Sequence, residues 1–292
     1  MLASVALIEY FSSLFLSSST IILLIYIFRF KSLRALWKDS SPLAVLFFSI
    51  STLSAFVALV SIQWILFILQ ITPNVPEHSL FLFSVGATFN GLQLFYIVAT
   101  LGVLAQRICL FIYPLKPMKT VNKAVVCTVA AITVVSLVTF FSANLYQIVP
   151  VPEDCYSLNC ATFLTKPGNS ILTIVVLSCV TVLLGSMLQI VYMRFRSQNH
   201  SNKTTTVNKF VRYSFYIRIV CETIPFFADT VLGKTTTIRV GTYIGPYGLL
   251  GSACDFFISI FLYYSMVVRK KTNTHTGSIN RSVNRIFVVQ ST

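Results

Sequence analysis

Arg218, Glu222 and Asp255 stand inside long apolar stretches, where an ionisable side chain is costly and usually functional. Arg218 and Glu222 are four residues apart, so on a helix they share a face and can pair. Asp255 lies near the middle of the next stretch, within reach of that face. Two readings stand: an ionic lock that holds two helices in one state and breaks on a conformational change, or a static buried pair that only satisfies charge. Glu9 and Asp229 lie nearer the ends of their stretches, where a carboxylate either meets a ligand or reaches the headgroup zone. Soluble-enzyme chemistry has little to work with. His78, His200 and His275 are scattered over separate loops, and there is no His-Glu-x-x-His, phosphate-binding glycine loop or nucleophile elbow. These absences argue against an enzyme and give no metal or cofactor set.

A second constellation runs from Leu104 to Leu115, where an apolar stretch gives way to a basic loop. Gln106-Arg107 is followed seven residues later by Pro114-Leu115, and Arg107 is expected to close the helix. Further up the same stretch, Gly86, Asn90 and Gln93 form a polar stripe at helical spacing. Facing the bundle it can hydrogen-bond a ligand; facing a neighbour it joins helices, the commoner role. Phe226, Tyr243 and Tyr247 can wall the same pocket or serve as interface anchors. Pro225 interrupts its stretch, removing one backbone hydrogen bond and kinking a helix there.

The elements that must position these residues follow from composition. Of 292 residues 55% are apolar and 10% charged, where a soluble domain carries about a quarter charged residues. Seven apolar segments are expected as helices: Ala3–Phe28, Pro42–Gln70, Ser79–Ala105, Lys123–Tyr146, Asn169–Met193, Phe210–Leu232 and Gly241–Val268. Each reaches the ~20 residues needed to cross a bilayer core, and none shows the alternation of a barrel strand. The third segment is the longest if it continues to Tyr113. The expected fold is an all-α membrane protein, a seven-transmembrane helix bundle over 1–268 with a basic tail at 269–292.

Charge orients it. Of 22 Lys and Arg residues, 18 fall on one side and only Lys166, Lys234 and Arg239 on the other, with Arg218 inside a segment. Cytoplasmic loops carry the excess, which puts the N-terminus outside and the tail in the cytoplasm. The net charge of +14 is mostly this signal, so no nucleic-acid partner is required; the basic rim can touch anionic lipids of the inner leaflet. Nothing in the first segment resembles a cleaved leader, since no Lys or Arg precedes Arg29. Cys155 and Cys160 fall together in the long outer loop, either bonded to each other or free. The sequons at Asn199, Asn202 and Asn280 lie in expected cytoplasmic segments and read as chance matches. In the tail, Ile279, Val283, Ile286 and Phe287 recur at helical spacing, as either a short surface helix or a flexible chain.

Gln106-Arg107 to Pro114-Leu115 is similar to the segment at the cytoplasmic end of the third helix in G protein-coupled receptors, with the family's acid and tyrosine replaced by Gln106 and Ile108. With the minimal N-terminus, the short loops and the outer-loop pattern Glu153-Asp154-Cys155 to Asn159-Cys160, the whole chain resembles the nematode serpentine chemoreceptors, most closely those of the class BC type. The resemblance implies a seven-helix plasma-membrane receptor, carried to sensory cilia, that binds a small molecule and activates a heterotrimeric G protein. It assigns coupling to Gln106, Arg107, Pro114 and Leu115 and a pivot to Pro225. The chain departs from the wider rhodopsin-like pattern: the second segment lacks an acidic residue, Thr223 stands where a tryptophan often precedes the proline, and Ser259-Ile-Phe-Leu-Tyr263 replaces Asn-Pro-x-x-Tyr. A seven-helix small-solute transporter is the competing reading, opposed by the lack of matching halves. A ligand-gated channel of the insect olfactory kind is opposed by the charge split.

Overall fold

The computed structural model describes residues 3–30, 32–72, 76–113, 117–144, 168–198, 206–235 and 246–268. Pro114, Leu115, Cys155, Cys160, Tyr243, the three sequons and the tail 269–292 lie outside the described residues.

Among the described residues the chain is helical, with no strand. The helices are α1 (Ala3–Phe30), α2 (Leu33–Asp39), α3 (Ser41–Ile68), α4 (Pro76–Ile112), α5 (Met118–Asn144), α6 (Gly168–Gln198), α7 (Thr206–Arg218), α8 (Ile224–Thr235) and α9 (Tyr247–Tyr263). A π-helical turn, Ile219–Thr223, joins α7 to α8, and another, Tyr264–Val268, continues α9. Six helices, α1, α3, α4, α5, α6 and α9 with its π turn, are long and apolar enough to cross a membrane. Their outward faces carry bare apolar side chains such as Phe15, Leu183 and Val135. Among its described residues the protein is all-α and membrane-embedded, with an outer surface that suits lipid and backbone hydrogen bonds that close within each helix.

The sixth expected segment, Phe210–Leu232, is helical but assembled from three pieces of 13, 5 and 12 residues. Pro225 explains the break. It has no N–H to return to the Cys221 carbonyl four residues back. The backbone widens just before it, and the Ile224 N–H bonds Ile219 five residues back.

Two further expectations are corrected. Arg107 does not close its helix: α4 runs on to Ile112, because Ile108-Cys109-Leu110-Phe111 extends the helical pattern without a breaker. At 37 residues α4 is about 55 Å long, well beyond the ~30 Å of a hydrocarbon core. The first basic loop also contains α2. The Ser32 hydroxyl accepts the Ala35 N–H at 3.3 Å as an N-cap, and Leu36 is buried.

α4 is the central post, packed against α3, α5 and α6; α1 packs against α3 and α9, and α7 against α9. Rings fasten the joints. Tyr10 stacks on Trp64 between α1 and α3 at 6.0 Å. Phe47, Phe210 and Tyr263 meet edge to face, at 4.6 Å for Phe47–Tyr263 and 5.3 Å for Phe210–Tyr263, joining α3, α7 and α9. Such pairs contribute roughly 0.5–1.5 kcal/mol each beyond burial. Many hydroxyls bond their own helix, as Ser17 to Ser13 O and Thr20 to Leu16 O, so they cross the apolar layer with their donors satisfied.

Candidate functional site

Three polar stripes converge at mid-bundle. α4 contributes Gln93, Tyr96 and Thr100; the α7–π–α8 run contributes Ser214, Arg218 and Glu222; α9 contributes Ser252, Asp255 and Ser259. Each set repeats at three or four residues, which puts it on one helical face. Arg218 Nη2 lies 3.3 Å from Glu222 Oε2, with side chains only 5% and 12% exposed. Arg218 Nη1 donates to Thr100 Oγ1 at 2.5 Å, and its guanidinium lies 4.4 Å over the Tyr96 ring. The Tyr96 hydroxyl donates to Asp255 Oδ2 at 2.6 Å, so Asp255 joins Arg218 through the tyrosine. Ser259 donates to Asp255 Oδ1 at 3.3 Å and shares a 3.1 Å hydrogen bond with Ser214. Ser252 donates to Glu222 Oε1 at 2.9 Å and accepts from Gln93 Nε2 at 3.4 Å. The structure thus brings Arg218, Glu222 and Asp255 into one connected network. A buried charge set is tolerated when every member is hydrogen-bonded.

The widened backbone sits beside this network. The Cys221 carbonyl, which Pro225 leaves without its α-helical donor, faces Gly251 of α9 closely enough that an added Cβ would collide with it. Glycine is required at 251 because two backbones approach each other there.

The residues proposed for a ligand pocket are placed less uniformly. Asn90 is half-buried on α4, three residues from Gln93, while Gln93 bridges to Ser252 and so joins two helices. Phe226 meets Phe227 edge to face at 6.1 Å. Tyr247, at the start of α9, hydrogen-bonds Asp229 of α8.

Gln106 and Arg107 part company on α4. Gln106 is fully buried; it accepts from Ser40 Oγ at 3.0 Å and donates to Asn122 Oδ1. It therefore ties the α2–α3 junction, α4 and α5 together, and any part it has in coupling is through positioning. Arg107 lines a narrow cleft with Phe111, Leu188, Tyr192, Asn208 and Arg212, between α4, α6 and α7. It is 8% exposed, and its Nε has no hydrogen-bond partner among the described residues. Arg212 is held by Gln189 Oε1 at 2.6 Å and by the Tyr192 ring, 4.1 Å from its guanidinium carbon.

Sequence reasoning missed Tyr96, Thr100, Ser214, Ser252, Ser40 and Asn122. The stripes on α4 and α9 were detectable as polar residues at i, i+3 and i+7. Ser40 and Asn122 carry no such signal, since they reach Gln106 only through tertiary packing.

No family model matches the chain, and no curated protein is similar enough to match it.

Proposed function

We propose that this protein is a seven-helix G protein-coupled chemoreceptor of the plasma membrane, of the nematode serpentine kind, sensing a small odorant- or pheromone-like molecule. The observation that carries the reading is Arg107, held nearly buried in a cleft between three helices with no acidic partner among the described residues. An arginine so held can meet a partner helix entering from the basic end, in helix-in-groove fashion. Two features support it. The 206–235 run is long enough as a whole for a seventh crossing despite its π turn. The 18-to-3 division of basic residues favours a cytoplasmic cleft end and an N-terminus outside.

In this reading a ligand binds among the upper parts of α4, α6, α8 and α9. It favours an arrangement in which the 206–235 run swings about Pro225, since only differential affinity shifts such an equilibrium. Sensory cilia are the proposed site of action.

The test is ligand-dependent proximity between the full chain and a panel of Gα subunits in intact cells, wild type beside Arg107→Ala, during a screen of odorants and pheromone mixtures. A signal in wild type that disappears in the variant at equal surface expression is the expected result. Arg107 is buried, so its truncation also removes packing, and equal surface expression is the control that separates lost coupling from lost folding. Ligand-dependent current or solute uptake without a Gα signal, and indifferent to the substitution, would overturn the reading in favour of a channel or transporter.

A further inference from the structure

The cleft that holds Arg107 has a property that coupling to a protein does not use. Two of its six lining residues are arginines, and none is acidic. Both arginines line one space that offers them no carboxylate of its own. Two polar atoms on the same cleft, Arg107 Nε and Asn208 Oδ1, are buried without a partner among the described residues. Buried polar atoms are normally satisfied, so two left open on one cleft are available to a ligand there. Arg212 is already oriented: Gln189 takes its Nε and the Tyr192 ring covers one face, leaving its outer amino groups to bind. The Asn208 side chain can turn its amide N–H₂ inward as readily as its oxygen.

We infer that the α4–α6–α7 cleft is a binding site for a phosphate group, gripped by Arg107 and Arg212 with Asn208 beside them. Phosphate fits better than carboxylate, because its oxygens can accept from two guanidinium forks and an amide at once. The group comes either from an anionic lipid headgroup or from a free phosphate. The site shares Arg107 with the proposed coupling surface but does not depend on coupling, because binding is read on the protein alone.

The experiment uses the full chain in phosphatidylcholine nanodiscs, with thermal unfolding followed at constant ionic strength. One arm titrates inorganic phosphate against acetate. The other replaces part of the phosphatidylcholine with a phosphatidylinositol phosphate, and native mass spectrometry counts retained lipid. The wild type should be stabilised by phosphate, by the lipid, or by both, and not by acetate; which arm responds identifies the source. Arg212→Gln should weaken binding by about tenfold to a hundredfold, the loss expected for a charge-assisted hydrogen bond. Should that variant fold poorly, Asn208→Asp keeps both arginines and supplies an internal carboxylate; it should abolish the response. Arg29→Gln, at the exposed end of α1, should leave the response intact. Stabilisation of the wild type by neither probe, an equal response to acetate, a full response in Asn208→Asp, or an equal loss in Arg29→Gln would each overturn the assignment.

Discussion

Glu222→Gln probes the mid-bundle network with one atom exchanged and one charge removed. Arg218 then keeps Thr100 at 2.5 Å and the Tyr96 ring at 4.4 Å but loses its 3.3 Å ion-pair partner. With side chains 5% and 12% exposed, water cannot replace the lost carboxylate. Removing one partner of a buried pair costs about 3–5 kcal/mol. The low end applies here, since glutamine still accepts from Ser252 and Asp255 remains near. In a chain of this size such a loss lowers the unfolding midpoint by on the order of 10 °C. The companion variant, Arg218→Met with Glu222→Leu, removes both charges and keeps the volume, and should recover at least about 2 kcal/mol of the single loss. Free Cys221 and Cys254, both half-buried beside the network, allow unfolding in detergent to be followed by thiol-reactive fluorescence. With Arg218→Met and Glu222→Leu also made singly, costs that add to within about 0.5 kcal/mol of the double variant would show that the two side chains do not couple, and would sink the account of the network. The same variants separate lock from static pair: a lock predicts raised basal Gα proximity in Glu222→Gln, a static pair only lower expression.

Three further outcomes are expected. Gly251→Ala should cost about 1–3 kcal/mol by forcing α9 off the Cys221 carbonyl, measured as a lowered unfolding midpoint; an unchanged midpoint would mean that the close approach is not real. Gln106→Leu should strand the buried Ser40 hydroxyl and Asn122 amide and cost about 2–4 kcal/mol, measured as a lowered unfolding midpoint; an unchanged midpoint would mean that Gln106 does not join these elements. Tyr96→Phe keeps the ring over Arg218 and against Phe256, 4.9 Å away, and loses only the donor to Asp255; a midpoint loss larger than that of Tyr96→Leu would contradict the assigned contacts.

The helices were legible because burial in lipid writes itself as long apolar runs, and the ends of α1, α3 and α5 fall within a few residues of the expected boundaries. The run around Pro225 was legible as a helix with a break, but the π turn before it was not. Nothing local in Ile219–Thr223 distinguishes five-residue from four-residue hydrogen bonding; the proline downstream and α9 alongside decide it. The end of α4 was misjudged because a charged residue was read as a boundary, whereas an arginine can be covered by neighbouring helices that the sequence does not show. At the site, Arg218, Glu222 and Asp255 stood out by charge alone. Tyr96, which links them, looked like one more aromatic among 13 tyrosines and 25 phenylalanines.

That linking role bears on why so apolar a bundle keeps nine polar side chains at one level. Between helices in lipid, apolar contact is a poor guide, because a leucine meets acyl chain and leucine alike. Rotating α9 by one residue, about 100°, would exchange its Ser252–Asp255–Ser259 face for a neighbouring one at small cost in apolar packing. The same rotation would withdraw acceptors from Tyr96 and Ser214 and the donor from Glu222, leaving several buried polar groups unpaired at about 1–3 kcal/mol each. The penalty for the wrong rotation is therefore several times that of any single bond. The network holds α4, the 206–235 run and α9 in one register through what the alternatives would lose. Its position beside the Pro225 break follows the same logic: a run whose backbone bonding is interrupted needs side-chain partners on both neighbours to keep its two halves aligned.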